Sequence, residues 1–271
     1  MSTTELDLSF TETQGRRLYD ALRTARTLAP LTDSHPEMTV EDAYHISLHM
    51  LRLREASGER VIGKKIGVTS KPVQDMLNVH QPDFGFLTDS MQFEDGAAVS
   101  LKASGLIQPR AEGEIAFMLK KDLQGPGVTK EDVLTATEWV APCFEIVDSR
   151  IKDWKIKIQD TVADNASCGV FVIGKQHTDP ASLDLAAAAM EMRRNGQPAG
   201  SGLGSAVQGH PAEAVAWLAN TLGAFGIPFK AGEVILSGSL APWCPPPPAT
   251  VSTWSSKAWV LVPFNSPSKK P

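Results

Sequence analysis

Cysteine, patterned histidine and long apolar runs are all scarce in this chain of 271 residues. The three cysteines, Cys143, Cys168 and Cys244, are too few and too scattered for a disulfide framework or a thiolate zinc site. The six histidines form no HxH or HExxH pattern, so a histidine-based metal centre has no support. No apolar run approaches the roughly 20 residues that a membrane span requires. The opening Met-Ser-Thr-Thr-Glu-Leu-Asp lacks the basic start and apolar stretch of a signal peptide. A net charge of −5 offers no basic footprint for nucleic acid or an anionic membrane surface. These absences point to a soluble protein in a reducing, cytoplasmic setting.

What is present is ample apolar material, 42% of residues, enough for one large core. Residues 10–57 read as helical. Leu18, Ala21, Leu22 and Ala25 recur at helix spacing; Thr39 reads as the cap of a second run, in which Ala43, Ile46, Met50 and Leu53 mark one face. From Val61 the texture becomes strand-like, with Val61–Val68, Ile115–Leu119, Ala141–Val147, Gly169–Ile173 and Glu233–Leu236 as candidates. A short helix is expected over 131–136 and a longer one, with Pro211 at its start and Gly223 after it, over 211–222. There is no internal repeat and no regular strand–helix alternation, which argues for an α+β fold, not a doubly wound sheet.

The chemistry-bearing residues fall in a few stretches. Glu112 and Glu114 alternate on one strand and so share a face, and Glu145 follows in another strand-like run. Paired carboxylates repel unless a proton, a lysine or a cation lies between them, and hard cations such as Mg²⁺ or Mn²⁺ favour such oxygen ligands. Surface glutamates on an edge strand are the plain alternative. Lys65, between Gly63 and Gly67, either neutralises a substrate anion or points outward. Asp83, in Gln81-Pro82-Asp83-Phe84-Gly85, is either a general acid/base with a raised pKa or a turn-forming residue. The stretch from Asp160 to Gly169 is dense in small polar groups that can line a pocket or cap a turn. Cys168 has no histidine near it in sequence to activate a thiol. Asp148, Arg150 and Asp153 follow Glu145 closely enough to hold the ligands in place, or to form a surface ion pair.

Taken together, Gly63–Ser70, His80–Gly85, Gln108–Ala116, Glu145–Arg150, Asp160–Gly169 and Ile235–Leu240 resemble the 2-hydroxypenta-2,4-dienoate hydratases of aromatic meta-cleavage pathways. These belong to the fumarylacetoacetate hydrolase superfamily, and six motifs in the same order over about residues 10–241 make the likeness specific. The resemblance implies a mixed β-roll preceded by an N-terminal helical segment. It implies Glu112, Glu114 and Glu145 as ligands of Mg²⁺ or Mn²⁺, Lys65, Asp83 and Ser167 as catalytic residues, and Lys65, Ser167 and Ser239 as substrate contacts. It further implies homo-oligomers and association with the related oxalocrotonate decarboxylase. The reaction implied is addition of water to 2-hydroxypenta-2,4-dienoate, giving 4-hydroxy-2-oxopentanoate. Two alternatives are carried beside it: the sister 2-oxo-3-hexenedioate (4-oxalocrotonate) decarboxylase activity, and a C-terminally damaged chain that persists as a binding partner.

Three parts are expected: a helical segment over 1–60, a β-roll over 61–241 forming one domain with it, and a tail over 242–271. The tail carries a Pro245–Pro248 run, three of six tryptophans, no glycine after Gly238 and no acidic residue after Glu233. It lacks the glycine-rich final strand pair of the family. A reading-frame shift near codon 242 would explain the change, and strands that close the sheet edge are not expected there.

Overall fold

The computed structural model describes residues 8–71, 74–75, 78–100, 103–242, 253–255 and 259–265. The N-terminal segment forms α1 (Leu8–Thr24), α2 (Leu31–Ser34) and α3 (Val40–Ala56). Thr39 caps α3 as its sequence indicates: its hydroxyl accepts from the Asp42 N–H while the Asp42 carboxylate accepts from the Thr39 N–H. α1 stops before Ala25, which takes a left-handed φ of 50°. Gly15 lets α1 lie close to α3, since a Cβ there would stand 2.8 Å from the Ile46 carbonyl oxygen. Leu18, Ala43, Ile46 and Met50 are fully buried, and they pack with Ile151, Val162 and Ala163 from later in the chain. The helices therefore cover the segment that follows the third glutamate.

The strands are β1 (Val61–Gly67), β2 (Asp83–Thr88), β3 (Gln92–Phe93), β4 (Ala98–Ser100), β5 (Arg110–Leu119), β6 (Thr137–Val147), β7 (Cys168–Ile173), β8 (Ala189–Arg194), β9 (Gln197–Leu203), β10 (Val234–Leu236), β11 (Thr253–Ser255) and β12 (Trp259–Asn265). Between them lie α4 (Lys130–Ala136), α5 (Ile158–Ala163) and α6 (Pro211–Gly223). Seven strands form one sheet in the order β2-β1-β10-β5-β6-β7-β3. The β1–β10 and β3–β7 pairs are parallel and the others antiparallel, so the sheet is mixed, as the α+β reading requires. The long β5–β6 pair forms its centre. Phe117, Val140, Leu218, Leu222 and Phe229 are among the residues of the main core.

Three expectations are corrected. Asp83 and Phe84 lie in the fully buried strand β2, paired with β1, and not in a turn. Residues 160–163 belong to the short helix α5. Beyond Pro242, the structure lays β11 antiparallel to β4 and β12 antiparallel to β8, so strands do close these edges. The Pro245–Pro248 run and Cys244 lie outside the described residues. The β8–β9 hairpin went unforeseen, although Asn195-Gly196, with φ of 51° and 78°, is a strong turn signal.

Candidate metal centre and substrate cavity

Strand alternation on β5 brings Glu112 and Glu114 to one face, and the β5–β6 register sets Glu112 directly opposite Glu145. Each of the three offers a carboxylate oxygen, all within 4.8 Å of one another. Glu114 and Glu145 are fully buried, and Glu112 is half-buried at the cavity. The Gly238 N–H donates to Glu114 Oε2 at 2.8 Å. Glu114 Oε1 and both Glu145 oxygens have no hydrogen-bond partner. Buried carboxylate oxygens that accept no hydrogen bond are costly, and an oxygen-ligated divalent cation would resolve that cost. The donor set thus fits a hard cation.

Lys65 is the ammonium that faces this cluster. Its Nζ stands 3.3 Å from Glu145 Oε1 and donates to the Ala166 carbonyl at 3.0 Å. Burial alone would lower its pKa, but the carboxylates of Glu145 and Asp83 override that and raise it, so it stays charged. Lys64 points to the other face and pairs with Glu233 at 2.5 Å, as alternation requires. Asp83 is buried, and its Oδ1 has no partner. Burial raises its pKa, Lys65 opposes the rise and Glu145 adds to it. Gly67 makes room for both: a Cβ there would collide with Asp83 Oδ1 and come 3.1 Å from Lys65 Nζ.

Burial, followed by the charge of Glu145, raises the pKa of Glu112 to about 7 and that of Glu114 well above the usual carboxylate range. Burial likewise pushes the thiols of Cys143 and Cys168 well up, which removes them as thiolate nucleophiles.

Ser167 lines the cavity beside Ala166, 3.1 Å from the Thr161 hydroxyl. It ends an unusual run, since Asn165, Ala166 and Ser167 all have left-handed φ of 51–55°. Arg150, fully buried, fixes that run. Its Nε and backbone N–H donate to the Asp164 carboxylate, and its other donors meet the carbonyls of Asp148, Asp164 and Cys168. Asp148 in turn accepts from the N–H groups of Ile107 and Gln108. Neither Asp148 nor Arg150 grips the glutamates directly, and Asp153 is exposed, away from them. Ser239 also lines the cavity, but its hydroxyl donates to the Ala241 carbonyl at 2.6 Å, leaving it an acceptor for a substrate.

The cavity has a volume of about 600 Å³. One part is charged, with Lys65, Asp83 and Glu112; Val147, Trp154, Ile156, Leu240 and Ala241 supply apolar wall. Two residues packed around the site were missed in the sequence. Tyr44 of α3 stacks on Phe84 with ring centroids 4.2 Å apart, and burial, then the Asp83 charge, raises its phenol pKa. Trp154 has its Nε1–H on the Gln108 carbonyl and the Arg110 guanidinium against its ring. No local motif marks either residue, because both arrive through tertiary packing.

Among the described residues no helix is long and apolar enough to cross a membrane. The profile of the fumarylacetoacetate (FAA) hydrolase C-terminal family matches residues 56–255. A 2-hydroxyhexa-2,4-dienoate hydratase of Comamonas testosteroni is 92% identical over 239 residues, 88% of this chain and 90% of that protein. A 2-hydroxypent-2,4-dienoate hydratase of Pseudomonas putida is 61% identical over 82% of this chain and 100% of its own length. Among solved structures, the 4-oxalocrotonate decarboxylase from Pseudomonas putida G7, complexed with magnesium and adipate, superposes with a TM-score of 0.86. It is 34% identical, over 90% of this chain and 92% of its own.

Proposed function

Because this chain belongs to the fumarylacetoacetate hydrolase family, we propose that its cavity is the active site of a cation-dependent hydro-lyase acting on 2-hydroxydienoates. The substrate is 2-hydroxypenta-2,4-dienoate or a close homologue, and the product is the 4-hydroxy-2-oxo acid of meta-cleavage aromatic catabolism. The observation that carries this reading is the three-glutamate cluster beside Lys65, which meets the cavity at Lys65, Asp83 and Glu112. Hydratase names at 92% and 61% identity support it.

Glu112, Glu114 and Glu145 would hold Mg²⁺ or Mn²⁺. When bound, the cation supplies Lewis acidity toward the substrate's carboxylate and C2 oxygen. Lys65 adds fixed positive charge at that end, where negative charge develops as the 2-hydroxyl proton leaves. Proton delivery to C5 then gives the 2-oxo-3-enoate; water adds at C4, and C3 takes the second proton. Asp83, buried beside Lys65 and with its pKa raised by that burial, is assigned to proton transfer or water activation. Ser167, backed by Thr161, orients substrate or water. Ser239 serves as an acceptor at the rim. The protein would work in the cytoplasm as a homo-oligomer, with the related oxalocrotonate decarboxylase as an associating partner.

The test is to follow purified protein with Mg²⁺ and 2-hydroxypenta-2,4-dienoate. Loss of dienol absorbance with formation of 4-hydroxy-2-oxopentanoate is expected. Release of CO₂ from 2-oxo-3-hexenedioate without hydration of the dienoate would move the chain to the decarboxylases. Absence of both activities would point to a non-catalytic binding partner.

A further inference from the structure

The three glutamates and Lys65 fix the carboxylate end of the substrate, so its far end must lie elsewhere in the cavity. The register indicates where. On the face that carries Glu112 and Glu145, the next paired positions outward are Arg110 and Val147. Two residues along a strand carry that pair roughly 7 Å beyond the glutamates. A five- or six-carbon acid anchored at C1 and C2 reaches that level with its last carbons.

The wall there is apolar and firmly built. Val147, Trp154, Ile156 and Leu240 all line the cavity. The Leu240 N–H donates to the Gly113 carbonyl at 3.0 Å, which ties it to β5 beside Glu112. Trp154 is held on three sides. Its backbone and that of Asp153 are left-handed, its indole N–H is committed to the Gln108 carbonyl at 2.9 Å, and the Arg110 guanidinium lies 4.3 Å from its ring centroid. Arg110 itself does not line the cavity. Among the described lining residues the cations are Lys65, at the carboxylate end, and Lys71, which is exposed and paired with Asp75.

We propose that Val147, Trp154, Ile156 and Leu240 form a subsite for an uncharged alkyl substituent at the far end of the dienoate, selecting it over a second carboxylate. The inference rests on the proposed hydratase reading and extends it to the substrate's distal end. An alkyl group gains by leaving water for this wall, whereas a carboxylate would be desolvated there, since the Arg110 guanidinium at this level lies against the Trp154 ring and outside the cavity lining. Ile156 is the residue to vary, because it is half-buried at the cavity and sits outside the catalytic cluster.

The test is calorimetric titration of Mg²⁺-loaded protein with the non-reacting analogues 2-oxopentanoate, 2-oxohexanoate and 2-oxohexanedioate. Wild type should bind 2-oxohexanoate more tightly than 2-oxopentanoate, and roughly tenfold or more tighter than the dicarboxylate. Ile156→Lys should narrow or invert the second ratio. A wild type that binds the dicarboxylate as tightly as 2-oxohexanoate would overturn the subsite without reference to any variant. So would an Ile156→Lys protein that binds all three analogues with unchanged ratios. Mg²⁺-dependent dienol turnover, measured alongside, stands or falls with the hydratase reading; the affinity ratios test the subsite alone.

Discussion

Glu112, Glu114 and Asp83 are buried beside Glu145 and a single ammonium, and burial first, then that imbalance of charge, raises the pKa of each of the three. The pKa of Glu112 is raised to about 7, above its unfolded value near 4.3. A raised carboxyl pKa contributes stability that is full below the unfolded value and lost as pH rises through the folded one. Metal-free protein should therefore lose stability between about pH 4.5 and 7. A divalent cation, which by the proposed reading would bind the ionised glutamates, should restore more of it at pH 7.5 than at pH 5.5. Thermal melts with Mg²⁺ and with chelator across that range check this; a Mg²⁺-induced rise in Tm that ignores pH would contradict it. Asp83→Asn should keep Mg²⁺ affinity but lower kcat by roughly 10²–10⁴. Near-normal turnover would remove Asp83 from proton transfer. Gly67→Ala should act on the same pair, because its methyl needs the space of the Asp83 carboxylate. It should lower kcat while dissociation of Mg²⁺, followed by titration, stays near wild type. The glutamate pair was legible in the sequence because strand alternation alone puts positions 112 and 114 on one face. Tyr44 was not, since its place beside Asp83 depends on how α3 packs across β2.

One element does most to shape the site: the left-handed run from Asn165 to Ser167 that joins α5 to β7. Non-glycine residues adopt this conformation at a cost, and three in succession persist only where the surroundings over-determine them. Here the surroundings are Arg150 and Asp164 on one side. On the other, the Asn165 side chain bonds both the N–H and the carbonyl of Phe86 in β2. The run turns the Ala166 carbonyl onto Lys65 and Ser167 into the cavity. Arg150→Met leaves the Asp164 carboxylate buried without its cation, and breaking such a pair costs about 3–5 kcal/mol. Urea denaturation should show that loss, and Ser167-dependent turnover should fall with it; an unchanged midpoint would mean the pair is dispensable. The density of small polar residues from Asp160 to Gly169 flagged this segment, but its handedness was hidden, because Asn, Ala and Ser give no glycine-like signal for φ above zero. The strand at Asp83 was masked in a similar way. Pro82 and Gly85 read as turn residues, yet Gly85 serves close packing: a Cβ there would stand 2.5 Å from the Asn165 carbonyl oxygen. Where a residue's role is set by what crosses it, local chemistry points to the wrong element.

At the scale of the whole molecule, the strands that carry the glutamate cluster and the C-terminal strands carry separate duties. The glutamates belong to β5 and β6 at the centre of the seven-stranded sheet, whereas β11 and β12 pair with β4 and β8 in two smaller sheets. Residues beyond Pro242 therefore contribute edge coverage and no described ligand. The proposed frame shift near codon 242 bears on that coverage and not on the glutamates; sequencing the gene there tests it, and an intact frame shared by close relatives would sink it. A chain ending at Pro242 should keep its Mg²⁺ affinity, measured by titration, because the three proposed ligands and the Gly238 N–H that supports Glu114 are retained. It should also expose the free edge of β8, and an unpaired strand edge invites pairing with another chain. Light scattering and sedimentation should then show self-association beyond that of the full chain, with a lower Tm. If the truncated protein matches the full chain in Tm and size distribution, the β8–β12 pairing adds nothing to stability, and the fold's closure must come from the seven-stranded sheet and its helices alone.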